Sequence, residues 1–198
     1  MPDELVTAVT NTDPNSCAYV QTGRLCKPWK LSREGYTFMA VCESGVLNGK
    51  YNGLPVSDGF IVKVYDDGFG IPTVGLGHKV LPSDNLRIGD IITVDRARKF
   101  FEINLKDTES AINRDVMVAL YQHEYDALVS TLFTSGPYPK QGDLWYPESR
   151  SQHLAGFLNH GEYDRMRDVI RTFVARRIPW RRRLEARLFE CGNYDARH

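Results

Sequence analysis

The spacing of apolar positions changes character along the chain, and each change marks a different kind of element. In KLSREGYTFMAVCESG, Leu31, Gly35, Phe38, Met39 and Cys42 fall at helical spacing. Ser32 suits the N-cap, and Gly45 sits where a helix-ending glycine belongs. The pattern predicts a short helix over about 33–43 that stops close to Glu43. Residues 44–64 carry Asn48-Gly49 and Asn52-Gly53, both hairpin-turn dipeptides. FIVKVY then alternates as a strand does. YDDGFGIPTVGLGHK adds tight turns and a second strand, which predicts a small sheet over about 60–80. From Thr93 the helical period returns. TVDRARKFFEINLKDTESAIN reads as a helix capped by Thr93, and QHEYDALVSTLFTSG as an apolar helix ending at Gly136. A Pro/Gly loop over 137–147 follows, then amphipathic helices at about 149–159 and 161–175. A last helix, WRRRLEARLFECG, ends at Gly192. Residues 1–30 show no period and read as an irregular extension. One helix, a small sheet and a helical bundle, in that order, make an α+β fold with segregated elements.

Composition narrows the function classes. Apolar residues make up 42% of the chain and charged residues 25%, so a chain of 198 residues builds an ordinary core without metal or disulfides. The net charge of +0 gives no global field for nucleic acid or anionic membrane. The charge is uneven, because residues 161–198 hold ten arginines against six acids. Those arginines are expected to form mostly a solvated helix face. Cys17, Cys26, Cys42 and Cys191 lack the spacing of a zinc site and read as structural thiols. A Cys17–Cys26 bridge after export is the alternative. No apolar run reaches the ~20 residues of a membrane span, and the N-terminus does not read as a secretory signal.

The glycine-rich stretch 65–79 holds the candidate chemistry. GFGIPT approaches a dinucleotide-binding fingerprint, but Pro72 and β-branched residues follow where that motif needs a helix. Its glycines are expected as turn formers. His78 has no second ligand at metal-site spacing, so a histidine hydrogen-bonded in a cleft wall is expected. The remaining polar groups are Asp66, Asp67, Thr73 and, upstream, Glu43. A carboxylate at a helix C-terminus lies at the negative end of the helix dipole, which favours its protonated form. A carboxylate in a glycine-rich turn accepts backbone N–H bonds and stays ionised. Two carboxylates held apart in this way suit glycoside hydrolysis, one as acid and one as base or nucleophile.

These residues lie in a spaced pattern: Ser32, Gly35, Glu43, Tyr65, Asp67, Gly70, Thr73, Gly75, Gly77 and His78. The pattern resembles the active-site region of the phage-type lysozymes, glycoside hydrolase family 24. EYDALVSTLFTSG resembles the family's long core helix, and LNHGEYDRM with RRRLEARLFECGNYD resembles its closing helices. The resemblance covers about 30–195. It implies a lysozyme-like α+β fold: an extension at 1–30, then a catalytic domain at 31–198. That domain comprises an active-site helix and β lobe at 31–82 and a helical lobe at 93–195. Two departures stand out. Ser44 follows the acid where the family has glycine, and Tyr65 lies 22 residues after Glu43, about 15 more than the family pattern allows. The insertion, 44–61, raises two rival acids, Asp58 and Glu34; the Ser32/Gly35 register favours Glu43.

The resemblance further implies a muramidase that needs no cofactor or metal. Glu43 would protonate the glycosidic oxygen between N-acetylmuramic acid and N-acetylglucosamine. Asp67 would stabilise the transition state and activate water, and Thr73 would position that water. Tyr65, His78 and Ser135 are the expected substrate contacts, and Ser135 and Thr134 are also expected as helix-end caps. The partners expected are the glycan strand and a cognate immunity or inhibitor protein, with the chain a monomer. Two delivery routes fit a chain without a leader, a phage endolysin released through a holin and a toxin injected by a contractile secretion system. The rivals are a lytic transglycosylase and a retired wall-binding protein on a lysozyme fold. The insertion is expected to form one or two short hairpins that wall the cleft.

Overall fold

Helix α1 (Arg33–Ser44) starts and stops as its sequence dictates. The Ser32 hydroxyl accepts the Gly35 N–H at 2.9 Å, and Gly45 ends the helix in the left-handed region with its N–H bonded to the Val41 carbonyl. The computed structural model describes residues 27–196, so Cys17, Cys26 and most of the 1–30 extension lie outside the described residues. Cys42 is buried and Cys191 exposed, and both are free thiols. Burial pushes the Cys42 thiol up to about 12.

Five antiparallel strands follow in the order of the chain: β1 (Gly49–Tyr51), β2 (Leu54–Ser57), β3 (Phe60–Asp66), β4 (Pro72–Gly75) and β5 (His78–Lys79). The sheet therefore begins eleven residues before the expected start at 60. The insertion is part of it, contributing β1 and β2 as edge strands. Asn52-Gly53 makes the first hairpin turn, as expected. The second turn is Asp58-Gly59, with both residues at positive φ, whereas Asn48-Gly49 only leads into β1. Positive φ at two successive residues gives the turn whose twist matches that of paired strands, which is why Asp-Gly and Asn-Gly serve here. A side chain at Gly59 would also meet the Ala40 methyl of α1 at 2.5 Å, so this turn seats the insertion against the helix.

The helical part holds α2 (Val94–Asp115), α3 (Gln122–Ser135), α4 (Arg150–Asn159), α5 (Met166–Thr172) and α6 (Pro179–Cys191). Thr93 caps α2 and Gly192 closes α6, as their spacing predicts. The helix expected at 161–175 is shorter. A 3₁₀ turn at 163–165 precedes α5, and Phe173 leaves in extended conformation. α3 is buried along most of its length and packs on α1, α2, α4 and α6. One apolar core joins Phe38, Met39, Phe60, Phe101, Leu128, Leu132 and Phe189 across sheet and helices. Within it Asp126 is fully buried. It accepts from the Ser32 N–H at 3.1 Å, from Gln122 at 2.9 Å and from the Tyr194 hydroxyl at 2.7 Å, and it also pairs with the Ser32 hydroxyl. Gly35 lets α1 come this close, because a methyl there would lie 2.5 Å from the Asp126 carboxyl carbon. The start of α1 is thus pinned to α3, which fixes where its far end delivers Glu43.

Candidate active site

Glu43 is the second-last residue of α1, and its side chain keeps 32% exposure. It opens on a cavity of about 610 Å³ between α1, the β1–β2 hairpin, the end of α3 and the segment 174–182. Its carboxylate is ion-paired to Arg181, and this contact joins residues 138 apart in the chain. Arg181 is buried and also holds Glu185 through Nε at 3.0 Å. Glu185, fully buried, pairs in addition with Arg182 and accepts from the Ser130 hydroxyl at 2.6 Å and the Thr131 hydroxyl at 3.3 Å. Burial lowers the Arg181 pKa, but Glu43 and Glu185 more than offset that, and its net shift is upward. The guanidinium is a fixed cation between a closed inner carboxylate and an open outer one.

This network corrects the reading of the basic C-terminal end as a solvated face. Arg165, Arg167 and Arg171 do lie on the surface in exposed pairs, but Arg181 and Arg182 are interior. Charge count alone marks arginine as a surface residue; its burial depends on Glu185 on the same helix and on hydroxyls of α3. The spacing of Arg181, Arg182 and Glu185 at i, i+1 and i+4 was the available signal.

Asp67 stands at the end of β3 in a turn built by two aspartates. Asp66 Oδ1 accepts from Gly68 N–H at 2.7 Å and Gly70 N–H at 3.0 Å. Asp67 Oδ1 accepts from Phe69 N–H at 2.8 Å and Ile71 N–H at 3.2 Å. Both are turn formers; they differ in exposure, with Asp66 open and Asp67 half-buried. Tyr65 and Thr73 pair directly across β3 and β4, so their side chains share a face. Thr73 is buried, and its hydroxyl donates to the Ile71 carbonyl at 3.1 Å. The Tyr65 phenol is pushed up to about 12, first by burial and then by the negative charges of Glu43, Tyr51 and Asp67. The wall of the Glu43 cavity itself includes Tyr51, Thr134 and Ser135, but not Asp67 or Thr73.

The other expected residues divide. Ser135 lines the cavity, and its hydroxyl donates to the Thr131 carbonyl at 2.8 Å, so it both faces the cleft and closes the helix. His78 is a hydrogen-bonded histidine, as expected, and is not among the residues lining the Glu43 cavity. It is buried, stacked on Phe100 at 4.1 Å, and its ring nitrogens meet Asp84 at 3.0 Å and Asn104 at 3.3 Å. With both nitrogens engaged and its face covered, it serves to clamp β5 onto α2. Asp58 sits in the second hairpin turn with its carboxylate on Arg98 at 2.6 Å, and Glu34 lies in the first turn of α1, at the opposite end from Glu43. Asp58 does line a larger cavity, about 920 Å³, between residues 28–36 and α2. Its other carboxylates are Glu102 and Glu109. Glu109 is committed to the Leu31 N–H at 2.8 Å and the Tyr125 hydroxyl at 3.3 Å. The smaller cavity is the better candidate, because Glu43, the carboxylate that the Ser32/Gly35 register marks, lines it together with Ser135.

The family pattern described as phage lysozyme matches residues 56–183, well over half of the chain. This chain belongs to the phage lysozyme family. The matched span takes in Tyr65, Asp67, Thr73, Ser135 and Arg181, while α1 with Glu43 lies before it. An endolysin of Salmonella phage P22 is 36% identical over 80 residues, 40% of this chain and 55% of its own length. An endolysin of Acyrthosiphon pisum secondary endosymbiont phage 1 is 34% identical over 99 residues, 50% of this chain and 61% of its own length. The chain thus spans little more than half the length of these curated relatives. Among solved structures, an endolysin from Escherichia coli O157:H7 phage FAHEc1 superposes with a TM-score of 0.62 at 21% identity, covering 86% of this chain and 99% of its own. A point mutant of P22 lysozyme gives 0.55 at 26% identity, covering 81% and 98%. The lysozyme-like α+β fold inferred from the sequence is therefore the fold of this phage lysozyme. Among the described residues no helix is long and apolar enough to cross a membrane.

Proposed function

We propose that this phage lysozyme is a muramidase. It hydrolyses the β-1,4 bond between N-acetylmuramic acid and N-acetylglucosamine in peptidoglycan. The observation that carries this reading is the accessible Glu43 carboxylate lining the 610 Å³ cavity, with Asp67 fixed in the β3–β4 turn as the second carboxylate. Glu43, in its protonated form, gives its proton to the departing glycosidic oxygen and becomes the carboxylate that pairs with Arg181. Asp67, held by two backbone N–H groups, stays in place as the charge that offsets the oxocarbenium-like transition state and draws a proton from water. Thr73 orients that water from the neighbouring strand, and Ser135 contacts the glycan at the cavity wall. Arg181 keeps the Glu43 carboxylate turned to the cavity and takes part in no proton transfer.

The endolysin names of the relatives favour release from a phage-infected cell over injection as a toxin, and a cognate inhibitor remains a proposal tied to the second route. Hydrolysis is favoured over transglycosylation by retention of Asp67, since a transglycosylase needs only the acid. Mass spectrometry of fragments released from purified sacculi tests the chemistry. Reducing ends are expected; anhydro ends would mean transglycosylation, and no release at all would mean a retired wall-binding protein.

A further inference from the structure

The two departures from the family pattern meet on helix α1. Ser44 stands where the pattern has glycine, and the insertion puts Tyr65 22 residues after Glu43. A tether that long sets little limit on where the helix end lies relative to β3. Contacts through space must set it instead, and the insertion makes them. The buried Ser44 hydroxyl lies 3.1 Å from the Ala40 carbonyl and 2.7 Å from the Val46 carbonyl, tying the last turn of α1 to the start of the insertion. Farther on, the Asp58-Gly59 turn folds back onto the same helix. The Tyr36 hydroxyl donates to the Asp58 carbonyl, the Gly59 N–H to the Leu47 carbonyl at 2.7 Å, and the Asp58 N–H to Asn48 Oδ1 at 3.0 Å. A side chain at Gly59 would stand 2.5 Å from the Ala40 methyl and 3.3 Å from the Tyr36 hydroxyl. Tyr36 is itself set between Phe60 of β3 and Phe101 of α2, with ring centroids 5.5 Å away in each case. Tyr36, Ala40 and Glu43 fall at i, i+4 and i+7, on one side of a helix. The turn therefore presses on the stripe of α1 that ends in Glu43.

We propose that Tyr36 and Gly59 are positioning residues for the acid: the insertion is a brace that bears on α1 one turn before Glu43 and fixes where its carboxylate stands against Arg181 and the cavity. The inference rests on the muramidase reading and gives the insertion a task beyond walling the cleft. The grip on α1 comes from the backbone of the turn, through the Asp58 carbonyl and the bare Gly59 Cα. The Asp58 carboxylate adds only the tie to Arg98 of α2.

The test compares Gly59→Ala with Gly53→Ala in the full chain. The two glycines hold φ of 77° and 80°, so alanine strains both turns alike, but only Gly59 has a neighbour for the new methyl to meet. Release of reducing ends from sacculi gives kcat and KM, and the melting temperature gives stability. Both variants should melt lower. Only Gly59→Ala should lose kcat, roughly ten- to a hundred-fold with KM within about two-fold, as misplacement of a catalytic group predicts. Adding Ala40→Gly removes the methyl in the way. It should restore most of kcat while the melting temperature stays low, since glycine weakens a helix interior. Tyr36→Phe keeps the ring and loses one hydrogen bond, and should lower kcat roughly two- to ten-fold; it carries the test if Gly59→Ala does not fold. Labelling of the buried Cys42 thiol, next to Glu43 on α1, reads the helix without reference to activity. It should be faster in Gly59→Ala than in Gly53→Ala, and faster in Tyr36→Phe than in the unaltered chain. Equal kcat in the two glycine variants, a kcat that returns only when the melting temperature does, or an unchanged kcat in Tyr36→Phe overturns the brace. An unaltered chain that releases nothing from sacculi sinks the muramidase reading instead, and Cys42 labelling then still decides whether the insertion holds α1.

Discussion

Glu43 and Asp67 reach the same neighbourhood by opposite means. Asp67 is positioned locally: its carboxylate bonds to N–H groups two and four residues ahead, and among the described residues no hydrogen bond from a distant part of the sequence holds it. Glu43 is positioned globally. The start of α1 is tied to Asp126 of α3, and its end is gripped by Arg181 of α6, which is in turn fixed by Glu185. A turn can set a carboxylate by its own hydrogen bonds, but a helix end is only as well placed as the elements packed on it. The difference implies that damage to the interior of the helical part should move Glu43 and leave the aspartate turn intact.

The largest effect should come from the inner carboxylate. Glu185→Leu leaves Arg182 buried without its anion and Arg181 with Glu43 alone, and a loss of about 3–5 kcal/mol is expected; urea unfolding measures it. Replacing Arg182 and Glu185 together by apolar residues should cost less than Glu185→Leu alone if the unpaired charge is the cause, because Arg181 keeps Glu43 as its partner. Gly35→Ala comes next. The new methyl meets the Asp126 carboxyl and the Leu31 side chain, so α1 must shift away from α3. About 1–3 kcal/mol of stability should go, as overpacking predicts, and turnover on sacculi should fall with it because Glu43 moves too.

The local half of the comparison predicts smaller stability effects with a split in activity. Asp66→Asn and Asp67→Asn each weaken two turn hydrogen bonds, so each should cost roughly 0.5–1.5 kcal/mol. Only Asp67→Asn should slow turnover by orders of magnitude. Equal kinetic losses would mean that the pair acts as a turn unit and that neither aspartate is the catalytic one.

The smallest effect expected is a pH dependence away from the site. Hydrogen bonds from Arg150, at 2.9 and 2.8 Å, hold the Asp143 carboxyl below its usual value of 3.8. A depressed folded value means that the unfolded chain binds the proton more readily. The stabilising contribution is therefore complete above about pH 4 and is lost as pH falls through the lowered value. Asp143→Asn should flatten the acid side of a melting-temperature profile. Activity at neutral pH should change little, because Arg150 keeps its bond to the Ser135 carbonyl and Asp143 itself does not line the Glu43 cavity.

How much of this could be read beforehand follows the same division. Caps and turns are local chemistry, and Ser32, Gly45, Thr93, Gly136 and Gly192 each end a helix where the spacing predicts. The two-aspartate turn was legible for the same reason. The extra strands were not, because β1 is three exposed residues with no apolar alternation, and its pairing is visible only once Asn52-Gly53 and Asp58-Gly59 are seen to form successive turns. Arg181 and Arg182 were read as solvent-facing because their burial depends on Ser130 and Thr131, about fifty residues away, and on Glu43, farther still. His78 is hydrogen-bonded as expected, but its partners Asp84, Phe100 and Asn104 belong to no motif and could not be named from the sequence.

The central claim is that Glu43 is the acid and that the α1 register, not the gapless Asp58 alternative, identifies it. The direct measurement is the rate of release of reducing ends from purified sacculi by Glu43→Gln beside Asp58→Asn, each checked for folding by its melting temperature. Glu43→Gln should lose about 10²–10⁴-fold in kcat, the usual worth of a positioned general acid, while Asp58→Asn, which breaks only an exposed pair with Arg98, should remain within a few-fold of the unaltered chain. Near-normal release by folded Glu43→Gln together with an inactive but folded Asp58→Asn would contradict the account.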